Sequence, residues 1–116
     1  MLPKVRRVPR ELLTNALLRG QRHNSANLLL SVANNSEGPS RFSFSVSKKV
    51  CKNAVDRNKF RRRGYAVVRG LLKKTKSGFL CVFSFKKASM TNSKKISFAE
   101  MEKEITDLLT ASGVLE

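Results

Sequence analysis

Acidic residues are nearly missing from the first 99 positions of this chain. Only Glu11, Glu37 and Asp56 occur there, against 23 Lys and Arg. Side-chain catalysis of bond cleavage needs a nucleophile with its base, a pair of carboxylates, or a set of metal ligands. One histidine, His23, and one acid among cations, Asp56, supply none of these. No catalytic residue and no metal ligand is therefore assigned. Cysteine is also scarce: Cys51 and Cys81 are 30 positions apart, form no CxxC pair and match no zinc spacing. They are read as reduced thiols. No apolar run reaches the length of a membrane span. The first residues, Met1 to Arg7, lack the apolar core of an export signal. A cytoplasmic protein is expected, with no membrane partner. Tryptophan is absent and tyrosine occurs once, and no Gly-rich loop has phosphate-cradling spacing. No internal repeat is present, so residues 1–116 are read as a single domain.

What the chain has is positive charge, and it is unevenly spread. The formal charge is +16, yet the last 17 residues carry five acids and one base. A field of one sign over most of a small fold repels itself unless a polyanion shares it, and nucleic acid is the usual partner. The charge peaks between Arg57 and Arg63, where five of seven side chains are Lys or Arg. No core can hold so many cations unpaired. At 100° per residue, Phe60, Gly64, Val67, Val68 and Leu71 fall on one side of a helix, and Lys59, Arg62, Arg69 and Lys73 on the other. Arg57 and Arg61 lie at the border, where their stems pack and their heads project. A disordered basic tail would have no apolar stripe. This helix is predicted to start at Asn53 or Asp56 and to run to about Lys74. Gly64 within the stripe permits close approach to a sheet.

The remaining elements follow from periodicity and punctuation. Residues 1–8 are read as basic and extended. Leu12, Leu13, Ala16 and Leu17 predict a helix over about 9–19, with Pro9 at its start and Gly20 at its end. Gln21 to Ala26 is read as a polar connection. Asn27 to Ala33 is a strand by length, and Asn34 to Ser40 a turn. Arg41 to Ser47 alternates Phe42, Phe44 and Val46 with Ser43, Ser45 and Ser47. That predicts a half-buried strand paired to the previous one as a hairpin. Phe79 to Phe85 reads as a buried strand and Lys86 to Ser97 as a basic loop. Ser97 and Glu100 match a capping box ahead of the stripe Phe98, Met101, Ile105, Leu108 and Leu109. The acids of this last helix are expected in solvent, and Gly113 ends it. Three strands are counted.

Lys48, Lys49, Arg57, Lys59, Arg61 and Arg62 cluster at a strand–helix junction. Arginine forks match phosphate oxygens in pairs, and lysine adds point charge. Few aromatics interleave with them, so contact with the backbone and shape of a folded RNA fits better than base stacking.

Ser45 to Val50 (Ser-Val-Ser-Lys-Lys-Val), followed by Ala54-Val55-x-Arg57-Asn58-Lys59-x-Arg61-Arg62, resembles the bacterial ribonuclease P protein component. The resemblance extends over roughly 5–112. It implies an α+β fold of αβββαβα type: a small, mostly antiparallel sheet packed by helices, with a left-handed βαβ crossover. The second domain of a small-subunit ribosomal protein has a fold of this kind. It also implies that Lys48, Lys49, Arg57, Asn58, Lys59, Arg61 and Arg62 bind a catalytic RNA. Leu13, Leu17, Ser31, Ser45 and Ser47 would line or flank a cleft for the single-stranded 5′ leader of precursor tRNA. Magnesium would sit mainly on RNA phosphates, with one protein per ribonuclease P RNA, and the RNA would cut the leader while the protein assists. Against the common pattern, Lys59 and Tyr65 replace arginines, and Arg63 fills a position that is often apolar. Leu13 and Leu17 stand where phenylalanines are frequent, and one extra residue lies between Lys49 and Arg57. A ribosomal protein or another structural RNA-binding module is the alternative that composition alone allows. A DNA-binding role is disfavoured, since no helix-turn-helix or dimer seam is evident.

Overall fold

The computed structural model describes residues 6–34, 38–87, 90–91 and 94–115. Met1 to Val5, and Asn35 to Glu37 of the predicted turn, lie outside the described residues. So do Ala88, Ser89, Asn92 and Ser93 of the predicted loop.

Helix α1 (Arg10–Arg19) follows Pro9 and stops at Gly20. Strands β1 (Gln21–Asn24), β2 (Leu28–Asn34) and β3 (Arg41–Ser45) lead to helix α2 (Ala54–Leu71). A 3-10 turn, Leu72–Lys74, then precedes β4 (Phe79–Phe85), the two-residue strands β5 (Met90–Thr91) and β6 (Lys94–Lys95), and helix α3 (Phe98–Ala111). The main sheet has the order β1-β2-β4-β3. β1 and β4 each pair antiparallel with β2, whereas β3 pairs parallel with β4.

Two sequence expectations change here. The strand at Arg41 does not form a hairpin with β2, because β4 inserts between them. β4 is apolar on both faces, with Leu80 to Phe83 all buried, and a strand of that kind belongs in the middle of a sheet. β3 is left at the edge. The polar connection after α1 is also partly a strand, so the main sheet has a fourth member beyond the three read from periodicity. Gln21 to Asn24 has no apolar alternation, but its backbone pairs with Leu29 to Val32. A solvated edge strand needs only backbone hydrogen bonds, so composition does not reveal it. The same holds for the short pairing of Met90–Thr91 with Lys94–Lys95 inside the basic loop.

Alternation sorts the sheet into two faces. Leu28, Leu30, Val32, Phe42, Phe44, Cys81, Phe83 and Phe85 pack with Phe60, Tyr65, Val67 and Val68 of α2 and Met101, Ile105, Leu108 and Leu109 of α3. Phe44 stacks on Phe83 at 4.7 Å and meets Tyr65 edge-on at 5.0 Å. Gly64 makes this closeness possible: a Cβ there would sit 2.6 Å from two carbons of the Phe44 ring. On the opposite face, Ala16 packs on Leu80 and Val82, with Val8, Leu12, Leu13 and Ala33 around them.

The acids of α3 are not all left to solvent. Ser97 and Glu100 form the expected capping box. Glu104 accepts hydrogen bonds from the Asn27 amide at 2.8 Å, the Asn27 side chain at 2.6 Å and the Ser25 hydroxyl. It thereby ties α3 to the β1–β2 turn, which the Lys86 ammonium also reaches through the Ser25 carbonyl at 2.7 Å. Phe98, placed in the stripe by its spacing, is 43 % exposed at the helix start.

Candidate nucleic-acid interface

β3 ends at Ser45, and six residues later Cys51 leads into α2. The Ser47 hydroxyl and carbonyl both accept from the Val50 amide, and the carbonyl also takes the Cys51 amide. That tight turn presents Lys48 and Lys49 to solvent. Asn53 then caps α2, its side chain accepting from the Val55 amide at 2.9 Å. The N-terminus of an 18-residue helix thus opens beside two exposed lysines, and both features attract anions.

The basic residues of α2 divide the work. Lys59 and Arg62 are exposed, and Arg57, Arg61 and Arg63 are half-buried. Arg57 is anchored: its Nη1 donates to the carbonyls of Cys51 and Lys52, both at 2.9 Å. It braces the turn that carries the lysines. Arg61 donates to the side-chain oxygen of Asn58, and Arg63 lies over the Phe60 ring at 5.7 Å. Tyr65 points inward, and its hydroxyl accepts the Phe44 amide at 3.2 Å. Because β3 is an edge strand, that N–H has no strand partner on its outer side. A buried role for Tyr65 was not legible in a position where the motif carries arginine.

The sheet face bearing α1 carries the serines. Register places Ser43, Val82, Ser31 and Arg22 in one row across the strands, and Ser45, Ser84, Leu29 and Asn24 in the next. Helix α1 rests on β2 and β4 and covers the first row there: Ser31 is only 1 % exposed. The second row is open at both ends, with Ser45 and Asn24 exposed. The Ser45 and Ser84 hydroxyls are 3.3 Å apart. This terrace, small-sided at its Ser45–Ser84 end, continues through Ser47 into the Lys48–Lys49 turn. Of the predicted cleft residues, Ser45 and Ser47 lie on it or at its edge, and Ser31 is beneath α1. Leu13 is half-buried against the Ala16 cluster and Leu17 is exposed on α1. Ser84, on a strand read only as buried, was missed; its place in the row depends on the parallel pairing of β3 with β4.

Both cysteines are free thiols. Among the described residues, no three His, Cys, Asp or Glu side chains come together as a metal site. No helix among them is long and apolar enough to cross a membrane.

Known proteins resemble this chain in sequence and in fold. The ribonuclease P protein component of Microcystis aeruginosa is 30 % identical over 100 residues, spanning 83 % of this chain and 80 % of that protein. The structure of the Staphylococcus aureus RNase P protein superposes with a TM-score of 0.83 at 17 % identity, covering 97 % of this chain and all of that one. The Thermotoga maritima RNase P protein gives 0.81 at 20 % identity, covering 90 % of this chain and 96 % of its own. The sequence profile of the family described as Ribonuclease P matches residues 4–112. Taken with the strand–turn–helix signature from Ser45 to Arg62, this match over nearly the whole length places the chain in the ribonuclease P protein family.

Proposed function

We propose that the outer face of α2 and the Lys48–Lys49 turn grip the catalytic RNA, while the serine terrace beside them receives the single-stranded 5′ leader of precursor tRNA. As a ribonuclease P protein component, the chain is the accessory subunit of the endonuclease that removes such leaders. The observation that supports this division of surfaces is their continuity. β3 runs from the terrace directly into the turn that opens α2, so leader and catalytic RNA would meet at one end of the molecule. Lys48, Lys49, Asn58, Lys59, Arg61 and Arg62 would contact RNA directly, and Arg57 would act mainly by holding the turn. Ser45, Ser47 and Ser84 would let a nucleotide backbone approach closely, with Leu13 and Leu17 as an apolar flank. Magnesium would be held mainly by RNA phosphates. One protein per RNA, working in the cytoplasm, completes the proposal.

The test is reconstitution. Added to a bacterial ribonuclease P RNA at low magnesium, the purified protein should restore cleavage of precursor tRNA. Failure to restore it would overturn the assignment. Arg61→Ala with Arg62→Ala should weaken RNA binding and reduce the log–log salt slope by about 1.4 to 1.8, at roughly 0.7–0.9 for each phosphate no longer neutralised. An unchanged slope would remove both residues from the RNA-binding surface.

A further inference from the structure

Cations explain how α2 would hold phosphates, but they do not explain Val55. This β-branched apolar side chain is 70 % exposed in the first turn of α2, just ahead of the most basic stretch of the chain. It stands at the mouth of a depression of about 530 Å³ between α2 and the outer edge of β3. Phe44 and Tyr65 form the floor, and Asn58, Arg61 and Arg62 the rim. A surface that met only a sugar–phosphate backbone would have no use for an apolar recess. Two arginines on the rim, on a chain of charge +16, favour an anionic occupant. An unpaired nucleotide matches both halves: its base has two apolar faces and a polar edge, and its phosphate is anionic.

We propose that this slot takes a single unstacked nucleotide of the catalytic RNA, its base against Val55 and the floor, its edge toward Asn58 and its phosphate on Arg61 and Arg62. The proposal rests on the ribonuclease P reading and adds a base-recognition point to a helix otherwise assigned to phosphates. Tyr65 is what shapes the slot. With its hydroxyl held by the Phe44 amide, the ring stays in the floor, where an arginine would project into the recess and fill it with charge. The catalytic RNA is favoured over the leader as the source, because the slot opens along α2 and β3's outer edge, away from the terrace on the sheet face that bears α1.

Val55→Ser removes the apolar wall without altering charge, at a site exposed enough to leave folding intact; an unchanged thermal melt checks this. Binding to bacterial ribonuclease P RNA should weaken about 5- to 20-fold with the salt slope unchanged. One nucleotide of that RNA, shielded from base-modifying reagent by the wild-type protein, should become reactive with the variant. Val55→Leu should retain both affinity and protection. Unchanged affinity and unchanged protection with Val55→Ser would overturn the slot. A loss confined to the preference for precursor over mature tRNA would overturn the catalytic RNA as its source. Failure of the wild-type protein to bind the catalytic RNA at all would instead sink the functional reading, and this inference with it.

Discussion

Tyr65 shows how one side chain can complete a sheet that backbone pairing leaves unfinished. The edge of β3 is covered in two pieces: the Val8 amide reaches the Phe42 carbonyl at 3.2 Å, and Tyr65 takes the Phe44 amide. Tyr65→Phe would keep the ring packed on Phe44 and strand that buried N–H. The expected cost is about 1–2 kcal/mol, read as a lower urea midpoint at unchanged m-value; an unaltered midpoint would mean the bond contributes nothing. The cysteines make a second contrast. Cys51 is half-exposed and bonds weakly to the Asn53 carbonyl, while Cys81 is buried in the central strand. Burial pushes the Cys81 thiol from 9.0 up to about 12. Below pH 9 both folded and unfolded chains keep that proton, so it adds no pH dependence. Between pH 9 and 12 the unfolded chain releases it and the folded chain does not, so stability falls as pH rises through that window. A thiol reagent at pH 8 should titrate one cysteine in the native protein and two in denaturant. Two fast native equivalents would contradict the burial.

Among the elements, α2 was the most legible, because a cationic face and an apolar stripe at helical spacing admit one solution. The capping box of α3 and the bounds of α1 were legible for the same reason: each is a local code within a few residues. Asn53 and Asp56 both read as possible starts of α2, and only the hydrogen bond from the Val55 amide to the Asn53 side chain decides between them. Strand order was not. Adjacent strands pair locally by default, and only the two-faced apolarity of Phe79–Phe85 hinted that it would sit between β2 and β3. β1 left no trace, since its four side chains contribute little to the core. The terrace shared that fate: serines alternating on one strand were visible, but Ser84 joins them only through long-range register. Helix packing gives a test with opposite signs at two glycines of one helix. Gly64→Ala would drive a methyl to 2.6 Å from the Phe44 ring, itself pinned on Phe83. Overpacking of about 1–3 kcal/mol should exceed the gain in helix propensity, lowering Tm. Gly70→Ala meets nothing within 4 Å and should raise stability by up to about 1 kcal/mol. Two shifts of the same sign would refute the close approach of α2 to β3.

For the whole molecule, charge and topology set the terms. A net +16 on a domain whose Cα radius of gyration is 13.2 Å repels itself at low salt. Tm should therefore rise by several degrees from about 10 to about 300 mM salt, and further with polyphosphate at constant ionic strength. A Tm indifferent to both would mean that the cations are already neutralised within the fold. The sheet order has a consequence for synthesis. The strand that joins β2 to β3 is translated after both of them and after the whole of α2. Until residue 85 emerges, the growing chain owns a finished polyelectrolyte helix and two separated flaps with no wedge between them. Non-local pairings of this kind form slowly, so each new copy passes through an interval as a sticky polycation on the ribosome, itself built largely of RNA.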